Sequence, residues 1–576
     1  MSVAKSLMAG RIVEGGLFPY PRLRAKDREV LSMMLEAIDQ FLAPKHRDFK
    51  QWDREAAQPP ELIQGLRDLG LFGLIIPEEH GGLGLSNAGY ARVLSQSSAH
   101  DSSVSLTFGA HSSIGMKGIL LFGTPEQRAR YLPKLASGEM IAAFCLTEPG
   151  AGSDAASIRT HAEKNADGTW TLNGEKIWIT NGGIADLYTV FARTASGAGK
   201  ISAFLVEARW PGVSHGPHED KMGIRASSTT TVSFAGVRVP PENILDAEGK
   251  GFKVAMSILN NGRTGLGGGA VGGMKALIAL ATEQAQTRKQ FGQPIGDFEL
   301  IREKISQMTL ECFAAESVVW MVAHYIDSGL DDYSVEAAIS KVYASEAIQR
   351  GAYEALQIAA GSGFMCGYPY ERAARDSRIL TIFEGTNEVL RLYIALSALK
   401  DLGKSLAELR TAIDEIFNNP IKGFGVLTEY AEKRLSHATG LGRAKILGKI
   451  PPQLREAAGI YEKYTAELAK AADFLLRKYG KSIAGRQHAL KRVADITVDL
   501  FVGLCVLSRA VSFAGGSREA GDAGAQAVAV AQVFARQARR RMAHNVRRIE
   551  RNEDQEMDSL AGFILEQRRY PWDVIE

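Results

Sequence analysis

The succession of sequence patterns predicts a mainly α-helical protein with a central β domain. Helical periodicity runs from residue 25 to about 122, short strands rich in β-branched and aromatic residues follow over 141–239, and helical periodicity returns at 251. This order favours segregated α and β layers over a doubly wound sheet. The predicted domains are an N-terminal helical domain (1–140), a β domain (141–245), a helical bundle (246–402) and a C-terminal helical extension (403–576).

Length and composition indicate a multidomain globular protein. The chain has 576 residues, too many for one core, and its contents of 45% apolar and 23% charged residues are ordinary. No apolar run approaches about 18 residues, so no transmembrane helix is expected, and residues 1–11 lack a secretory signal pattern. The four cysteines show no CxxC spacing, so we expect no metal site and a reducing compartment.

In the N-terminal domain, apolar residues recur at steps of three and four, as on one face of a helix: Val30, Leu31, Met34, Ile38 and Leu42. Residues 124–127 (Thr-Pro-Glu-Gln) place a hydroxyl cap before proline, with glutamine three residues after the cap. We therefore expect a helix to begin directly after Thr124.

The β domain is predicted from short β-branched and aromatic runs at 144–147, 170–172, 176–180, 187–191, 201–206 and 229–239. Asn173-Gly174 and residues 181–183 predict turns between them, so a mostly antiparallel arrangement is expected. In the C-terminal extension, residues 418–452 contain five glycines and three prolines with weak periodicity, which predicts a mobile connection.

Residues 144–154 carry the first candidate site motif, a strand running into a Pro-Gly-Ala-Gly-Ser turn. Glycines allow a ligand to approach the backbone, and successive amides in such a turn form an anion cradle. Thr147 and Ser153 add hydroxyl donors. The alternative is a plain loop between strands.

Residues 176–181 (Lys-Ile-Trp-Ile-Thr-Asn) carry the second motif. Alternation along a strand puts Trp178 and Thr180 on one face, where they suit a flat aromatic ligand with polar edges. A tryptophan buried within the sheet is the alternative.

The third motif is Arg-Lys-Gln-Phe-Gly at 288–292. Arg288 is suited to pairing with a pyrophosphate, and Phe291 to stacking on a base. A solvated helix end with basic residues before a glycine is the alternative.

The fourth motif contains Glu384, which follows five residues of which four are apolar. A glutamate in apolar surroundings is unusual unless it is paired or used, because burial raises its pKa and penalises the ion. Gly385 leaves room for a substrate beside the backbone. A capping or turn role is the alternative.

Together, the motifs Thr-Glu-Pro-Gly-Ala-Gly-Ser-Asp (147–154), Lys-Gln-Phe-Gly (289–292) and Glu-Gly-Thr-Asn (384–387) resemble the acyl-CoA dehydrogenase family, and most closely its very-long-chain branch. The resemblance covers about 20–400 closely and the extension more loosely. It implies that family's fold, with a β-barrel-like middle domain and a four-helix bundle. It also implies FAD-dependent α,β-dehydrogenation of long- or very-long-chain acyl-CoA to trans-2-enoyl-CoA in fatty-acid β-oxidation, with electrons passed to an electron-transfer flavoprotein.

By this resemblance, Glu384 is the catalytic base and Arg263 an electrostatic orienter beside it. Some family members keep the base at the position of Gly262, and glycine cannot take a proton. Substrate contacts are implied for Ser153, Asn260, Arg263, Phe383 and Gly385. At the places where medium-chain relatives close the tunnel with polar side chains, this chain has Leu106 and Ala110, which predicts a deep apolar tunnel.

The resemblance implies FAD contacts for residues of the four motifs and one further helix: Phe144, Leu146, Thr147, Ser153, Trp178, Ile179, Thr180, Arg288, Gln290, Phe291, Gln357, Gly361, Thr386 and Glu388. Four of them (288, 291, 357 and 361) match groups that reach the FAD of a neighbouring subunit, so a homodimer is expected. Ala360 departs from the family, which more often has glycine there.

The C-terminal third holds two basic segments. Residues 420–450 carry six Lys/Arg with interspersed apolar residues, and either contact an anionic membrane surface or form a solvated linker. Residues 536–551 hold seven arginines without aromatic residues to stack bases, so a solvated helix face is expected and not nucleic-acid binding.

Other functions remain open alternatives. An acyl-CoA oxidase would use the same base and flavin with O2, and a catalytically quiet assembly protein would share the fold. Branched or aromatic acyl groups are not excluded as substrates. The glycine-rich run 265–270 suggests NAD binding, but no strand precedes it. The expected location is the bacterial cytoplasm, or the mitochondrial matrix with peripheral contact to the inner membrane in a eukaryote.

Overall fold

The computed structural model describes residues 2–194, 200–415, 450–514 and 521–575. The chain forms two compact units, Phe18–Leu390 and a second made of Met1–Leu17 with Arg391–Glu576. This division groups the first residues of the chain with the C-terminal extension, a grouping that the four predicted domains do not contain. The described helices, numbered in chain order, are α1 (Val3–Met8), α2 (Ala25–Leu42), α3 (His46–Glu55), α4 (Pro60–Asp68), α5 (Asn87–His100), α6 (Ser102–Ala110), α7 (Lys117–Phe122), α8 (Pro125–Ser137), α9 (Gly251–Thr287), α10 (Glu299–Asp327), α11 (Ser334–Ala359), α12 (Gly361–Phe364), α13 (Tyr370–Arg378), α14 (Asn387–Glu415), α15 (Arg455–Tyr479), α16 (Gln487–Ala514), α17 (Gly521–Arg547) and α18 (Asp554–Gln567).

The predicted start of α8 is confirmed. The Thr124 hydroxyl accepts from the Gln127 amide at 3.2 Å, and the Gln127 side chain accepts from the Thr124 amide at 3.0 Å, which completes a capping box. The other end of the Gln127 side chain donates to the carbonyls of Glu242 and Ile244 at 2.7 and 2.8 Å. One glutamine therefore caps the helix and joins it to the end of the β domain.

The central β domain is one eight-stranded sheet in the order β6-β7-β3-β2-β4-β5-β8, with β1 paired to β4 in parallel and most other pairs antiparallel. The strands are β1 (Ala142–Cys145), β2 (His161–Lys164), β3 (Trp170–Thr180), β4 (Leu187–Arg193), β5 (Ile201–Glu207), β6 (Val213–His215), β7 (Thr229–Val239) and β8 (Ile244–Leu245), with a separate hairpin of β9 (Lys289–Gln290) and β10 (Gln293–Pro294).

The predicted turn at Asn173-Gly174 is wrong, because β3 runs without a break through both residues. The register of β3 against β7 shifts there, so the pair marks a β-bulge. Gly174 has φ +147, and a Cβ at this position would lie 2.7 Å from Cα of Thr160. From the neighbouring residues alone, a glycine that allows another segment to approach a strand closely cannot be distinguished from a glycine that allows a turn.

The helical bundle is organised around α9, which packs against α5, α10 and α11. Two of its glycines lie against the backbone of α5. A Cβ at Gly268 would lie 2.4 Å from the Ala91 carbonyl oxygen, and one at Gly272 would lie 1.9 Å from that of Ser95. The glycine-rich run is therefore a helix-packing surface in mid-helix, and it does not lie at a turn between a strand and a helix, as the NAD-binding alternative requires.

The second unit is helical and has its own core in α15, α16 and α17, which includes Leu468, Leu490, Phe501 and Phe534. Arginines 536, 541 and 548 of the basic run pair with acidic residues, as Arg541 does with Asp499 at 2.6 Å. The predicted mobile connection (418–452) and membrane segment (420–450) fall almost wholly outside the described residues.

Two described helices, α9 and α16, are long and apolar enough to cross a membrane by composition alone. The apolar window of α9 is 56% buried and that of α16 is 78% buried inside the protein. Burial of this extent is the pattern of core helices.

Candidate active site

Glu384 lies in a tight turn between two helices. After α13 the chain makes a 3-10 turn at Ile379–Thr381, and Glu384 and Gly385 then adopt φ values of +56 and +94. Helix α14 begins at Asn387, and the Thr386 hydroxyl accepts from the Val389 amide at 3.3 Å. Thr386 therefore caps the helix, which leaves the Glu384 carboxylate free of a capping role.

The carboxyl group of Glu384 is buried, and its Oε2 has no hydrogen-bond partner among the described residues. Burial raises the pKa of Glu384 to about 7, while the positive charges of Arg263 and Lys341 act in the opposite direction. A carboxyl group with this pKa takes up and releases a proton near neutral pH, which is the property of a general base.

Arg263 and Asn260 reach the turn from α9. One guanidinium nitrogen of Arg263 donates to the Glu384 carbonyl at 3.3 Å, and another donates to Oδ1 of Asn260 at 2.6 Å. The helix presents Gly262 to the carboxylate, since a Cβ there would lie 3.6 Å from Oε2 of Glu384. The structure thus brings these four residues together, and the contact between Arg263 and the Glu384 turn is the one that the family resemblance implies.

Lys341 is a site residue that the sequence analysis missed. It lies in the middle of α11 with its side chain fully buried, and its ammonium donates to the Gly385 carbonyl and to Oδ1 of Asn387, both at 2.8 Å. A lysine in a helix is ordinarily solvated, so nothing local to the sequence marks it.

A cavity of about 170 Å³ adjoins Glu384. Its lining includes Phe383 from the turn, the predicted tunnel residues Leu106 and Ala110 from α6, and glycines of α9. The lining is not wholly apolar, which corrects the expectation of an apolar tunnel. It also includes the Asp101–Arg372 ion pair, with a distance of 2.9 Å, and Asp376, whose pKa burial raises to about 7.

The β domain contributes Trp178, Ile179 and Thr180 at the end of β3. Trp178 lies within a register shift between Lys176 and Ile179 and has φ +56. It is 64% exposed, which rules out the tryptophan buried in the sheet. Ile179 is buried in the sheet, whereas Thr180 lines the cavity. On β1, Phe144 packs on Phe191 with ring centroids 4.9 Å apart, and Leu146 follows it, nearly buried.

The turn after β1 is closed by two backbone hydrogen bonds between Glu148 and Ala151, and a buried ion pair anchors it to β3. Lys176 donates to Glu148 at 2.7 Å, and the amide of Thr160 donates to the same carboxylate at 3.0 Å. Directly after this turn, the amides of Gly152 and Ser153 donate to no group within the described part of the chain. Ser153 is exposed, and a Cβ at Gly152 would meet nothing within 4 Å.

These features fit FAD. Unsatisfied amides in a glycine turn suit a pyrophosphate, and an exposed tryptophan beside a hydroxyl suits a flat, polar-edged ring. The Thr147 side chain is half-buried beside the turn. When bound, FAD supplies an acceptor for a hydride.

Of all the predicted FAD residues, Thr180 is the one found in the lining of the described cavity. Those outside the β domain are exposed, except for Thr386, which is half-buried. Phe291 and Gly292 form the turn of the β9–β10 hairpin with φ +52 and +83, and the Phe291 side chain is 94% exposed. Arg288, Gln290, Gln357, Gly361 and Glu388 are exposed as well.

Ala360, between α11 and α12, has φ +52 and ψ −128. Glycine adopts this conformation at little cost, which gives a physical reason for the glycine of other family members.

A buried glutamate that lines a cavity, together with a glycine turn and an exposed tryptophan that fit FAD, defines the chain as a flavoprotein oxidoreductase. Comparison with known families identifies the particular one. The N-terminal, middle and C-terminal domains of acyl-CoA dehydrogenase match residues 28–139, 143–237 and 249–399, and the ACAD9/ACADV C-terminal domain matches 452–570.

Individual relatives agree. The chain is 45% identical over 519 residues to the very long-chain specific acyl-CoA dehydrogenase of Homo sapiens, a mitochondrial protein, with 88% of this chain and 78% of that one covered. An acyl-CoA dehydrogenase of Bacillus subtilis is 42% identical over 58% of this chain and 89% of its own length. The crystal structure of acyl-CoA dehydrogenase complexed with FAD from Bacillus anthracis matches with a TM-score of 0.80 and 31% identity, covering 99% of this chain and 96% of that one. The chain belongs to the acyl-CoA dehydrogenase family, whose members are oxidoreductases that use FAD.

Proposed function

We propose that this protein converts long- or very-long-chain acyl-CoA thioesters to trans-2-enoyl-CoA in fatty-acid β-oxidation, with Glu384 as the catalytic base. The observation that carries the proposal is the buried Oε2 of Glu384, which has no partner among the described residues and adjoins the cavity.

The chemistry requires a base stronger than a solvated carboxylate. The α-proton of a thioester is weakly acidic, and a carboxylate with an ordinary pKa of about 4.3 is a poor acceptor for it. Burial moves the pKa of Glu384 to about 7 and so strengthens the base. Glu384 takes the α-proton, and the electron pair of the α C–H bond forms the double bond. The β-hydrogen leaves with the electron pair of its own C–H bond as a hydride, for which bound FAD would be the acceptor.

Arg263 fixes the position of the Glu384 turn while Glu384 accepts the proton. Its guanidinium donates to the main-chain carbonyl of Glu384 at 3.3 Å. The positive charge of Arg263 favours the ionised carboxylate and so limits the rise in the pKa of Glu384 that burial causes.

The proposal of a long acyl chain rests on Leu106, Ala110 and the small residues of α9, which leave space along the cavity. Relatives specific for very long chains support it. The Asp101–Arg372 pair in the lining gives the cavity a polar region as well.

For the remaining partners, we propose an electron-transfer flavoprotein as acceptor and a homodimer in which the Phe291 hairpin and the exposed end of α11 approach the FAD of the other subunit. The 94% exposure of Phe291 is consistent with cover by a second copy. The location would be the bacterial cytoplasm or the mitochondrial matrix, which both keep thiols reduced. Membrane contact through 420–450 remains a proposal, tested by liposome co-sedimentation at low and high salt.

Anaerobic flavin bleaching with saturated acyl-CoAs of increasing length tests the function. Bleaching is expected to be most complete with long chains, and its absence with every straight chain would overturn the substrate assignment. Glu384→Gln is expected to bind FAD without bleaching, whereas Glu303→Gln, at an exposed site, should bleach like the parent. Reduction of an electron-transfer flavoprotein without oxygen consumption would separate a dehydrogenase from an oxidase.

A further inference from the structure

A second cation lies behind the Glu384 turn, on the side of α11. Lys341 is fully buried, and an ammonium out of water must find hydrogen-bond acceptors. It finds the main-chain carbonyl of Gly385 and the side-chain oxygen of Asn387, each at 2.8 Å. The Lys341 ammonium therefore binds Gly385 and Asn387, the first and third residues after Glu384.

The same turn is fastened to α11 at two further points. The side-chain nitrogen Nδ2 of Asn387 donates to Oγ of Ser345 at 3.0 Å and to Oε1 of Glu346 at 3.1 Å. The backbone of the turn needs such support, because Glu384 and Gly385 are consecutive residues with positive φ and only the second is a glycine.

Lys341 also contributes a positive charge near the Glu384 carboxylate. Burial lowers its pKa to about 7, the negative charge of Glu384 opposes this, and Arg263 reinforces it. Glu346 and Glu388 also favour its charged form. The ammonium and the Glu384 carboxylate thus stabilise each other as ions, and burial brings the pKa of each group close to 7.

We propose that Lys341 is a positioning residue for proton abstraction: it fixes the Glu384 turn through the Gly385 carbonyl and supplies the positive charge that keeps the carboxylate ionised. The inference rests on the proposed role of Glu384 as the base. Lys341 itself makes no contact with substrate or cofactor in this role. It acts through the turn.

The test is the rate of flavin reduction by a long-chain acyl-CoA in the holoenzyme, measured from pH 6 to 9. Lys341→Met, which keeps the length and removes the charge, is expected to slow reduction by about thirtyfold or more. The substrate concentration for half-maximal rate should change by less than about threefold. On the acid side of the pH profile, the pH at which the rate falls by half should rise by about one unit or more, because the Glu384 carboxylate loses a stabilising positive charge.

Three variants control the test. Lys341→Arg keeps the charge, so its acid limb should stay at the parent position. Lys341→Gln removes the charge but keeps an amide donor, and replaces Lys341→Met if that variant loses FAD. Lys117→Met removes another buried lysine, far along the chain on α7 and without a hydrogen bond to the turn, and should behave like the parent.

An unmoved acid limb in Lys341→Met and Lys341→Gln, with rates within about threefold of the parent, would overturn the inference. Comparison with Glu384→Gln separates this failure from failure of the proposed function. If Glu384→Gln is inactive while Lys341→Met matches the parent, only Lys341 loses its role. If Glu384→Gln reduces flavin normally, the base assignment fails and the inference fails with it.

Discussion

Replacement of Glu384 by glutamine should make the protein more stable at alkaline pH while abolishing its activity. The folded protein raises the pKa of this carboxyl group from 4.5 to about 7, chiefly through burial. The ion is therefore disfavoured in the folded chain relative to the unfolded one. Since one pKa unit corresponds to about 1.4 kcal/mol, the charged carboxylate costs the native state about 3 kcal/mol above pH 7.

The sign of this effect gives it a distinctive pH dependence. Below the unfolded pKa both states hold the proton, so glutamine and glutamic acid should be nearly equivalent there. Between pH 4.5 and 7 the parent loses stability relative to Glu384→Gln, and above pH 7 the difference reaches its full size.

Urea unfolding of the parent and Glu384→Gln, each carrying FAD, measures the difference. We expect less than about 1 kcal/mol at pH 5 and about 3 kcal/mol at pH 8.5 in favour of the variant. Glu303→Gln, at an exposed position, should show no such trend. A difference that is the same at both pH values, or that favours the parent at pH 8.5, would refute the argument from burial.

Three further outcomes follow from the site and the helix packing. The rate of flavin reduction should fall as pH drops below about 7, because Glu384 must be ionised to accept the proton; a rate that is flat from pH 6 to 8 would contradict this. Glu148→Gln leaves Lys176 buried without its counter-charge, and should cost about 3–5 kcal/mol of unfolding free energy and lower the flavin content of the purified protein. Gly272→Ala should destabilise by about 3 kcal/mol or more because its Cβ meets a backbone carbonyl, whereas Gly269→Ala meets only a serine side chain and should cost about 1 kcal/mol; equal costs would be inconsistent with the packing described.

Local signals predicted the parts of the site that depend on neighbours in the chain. Glu384 stands out because apolar residues precede it, and the start of α8 because its cap and its glutamine are three residues apart. The predicted meeting of Glu384 with Arg263 came from the family resemblance, and the structure places them in hydrogen-bond contact.

What the sequence did not reveal depends on contacts between distant segments. Lys341 has an ordinary helical setting, and its burial arises only when α14 begins beside α11. In the sequence, the Asn173-Gly174 bulge could not be distinguished from a hairpin turn, because the strand that pairs with it lies 60 residues further along the chain (Gly174 pairs with Phe234). Asp101 and Arg372 are likewise far apart in sequence, so their polar contribution to the cavity was not foreseen.

The glycines of α9 carry a consequence for the order in which the molecule assembles. Seven of them lie within residues 262–273, and each lowers intrinsic helix stability by about 0.8–1 kcal/mol relative to alanine. The segment that supplies Arg263 is thus a poor helix in isolation. It becomes a stable helix only when it packs against α5 and α11. The scaffold of the base should therefore form late in folding, after its neighbours, and the order of amide protection in a refolding experiment should run from those helices to α9.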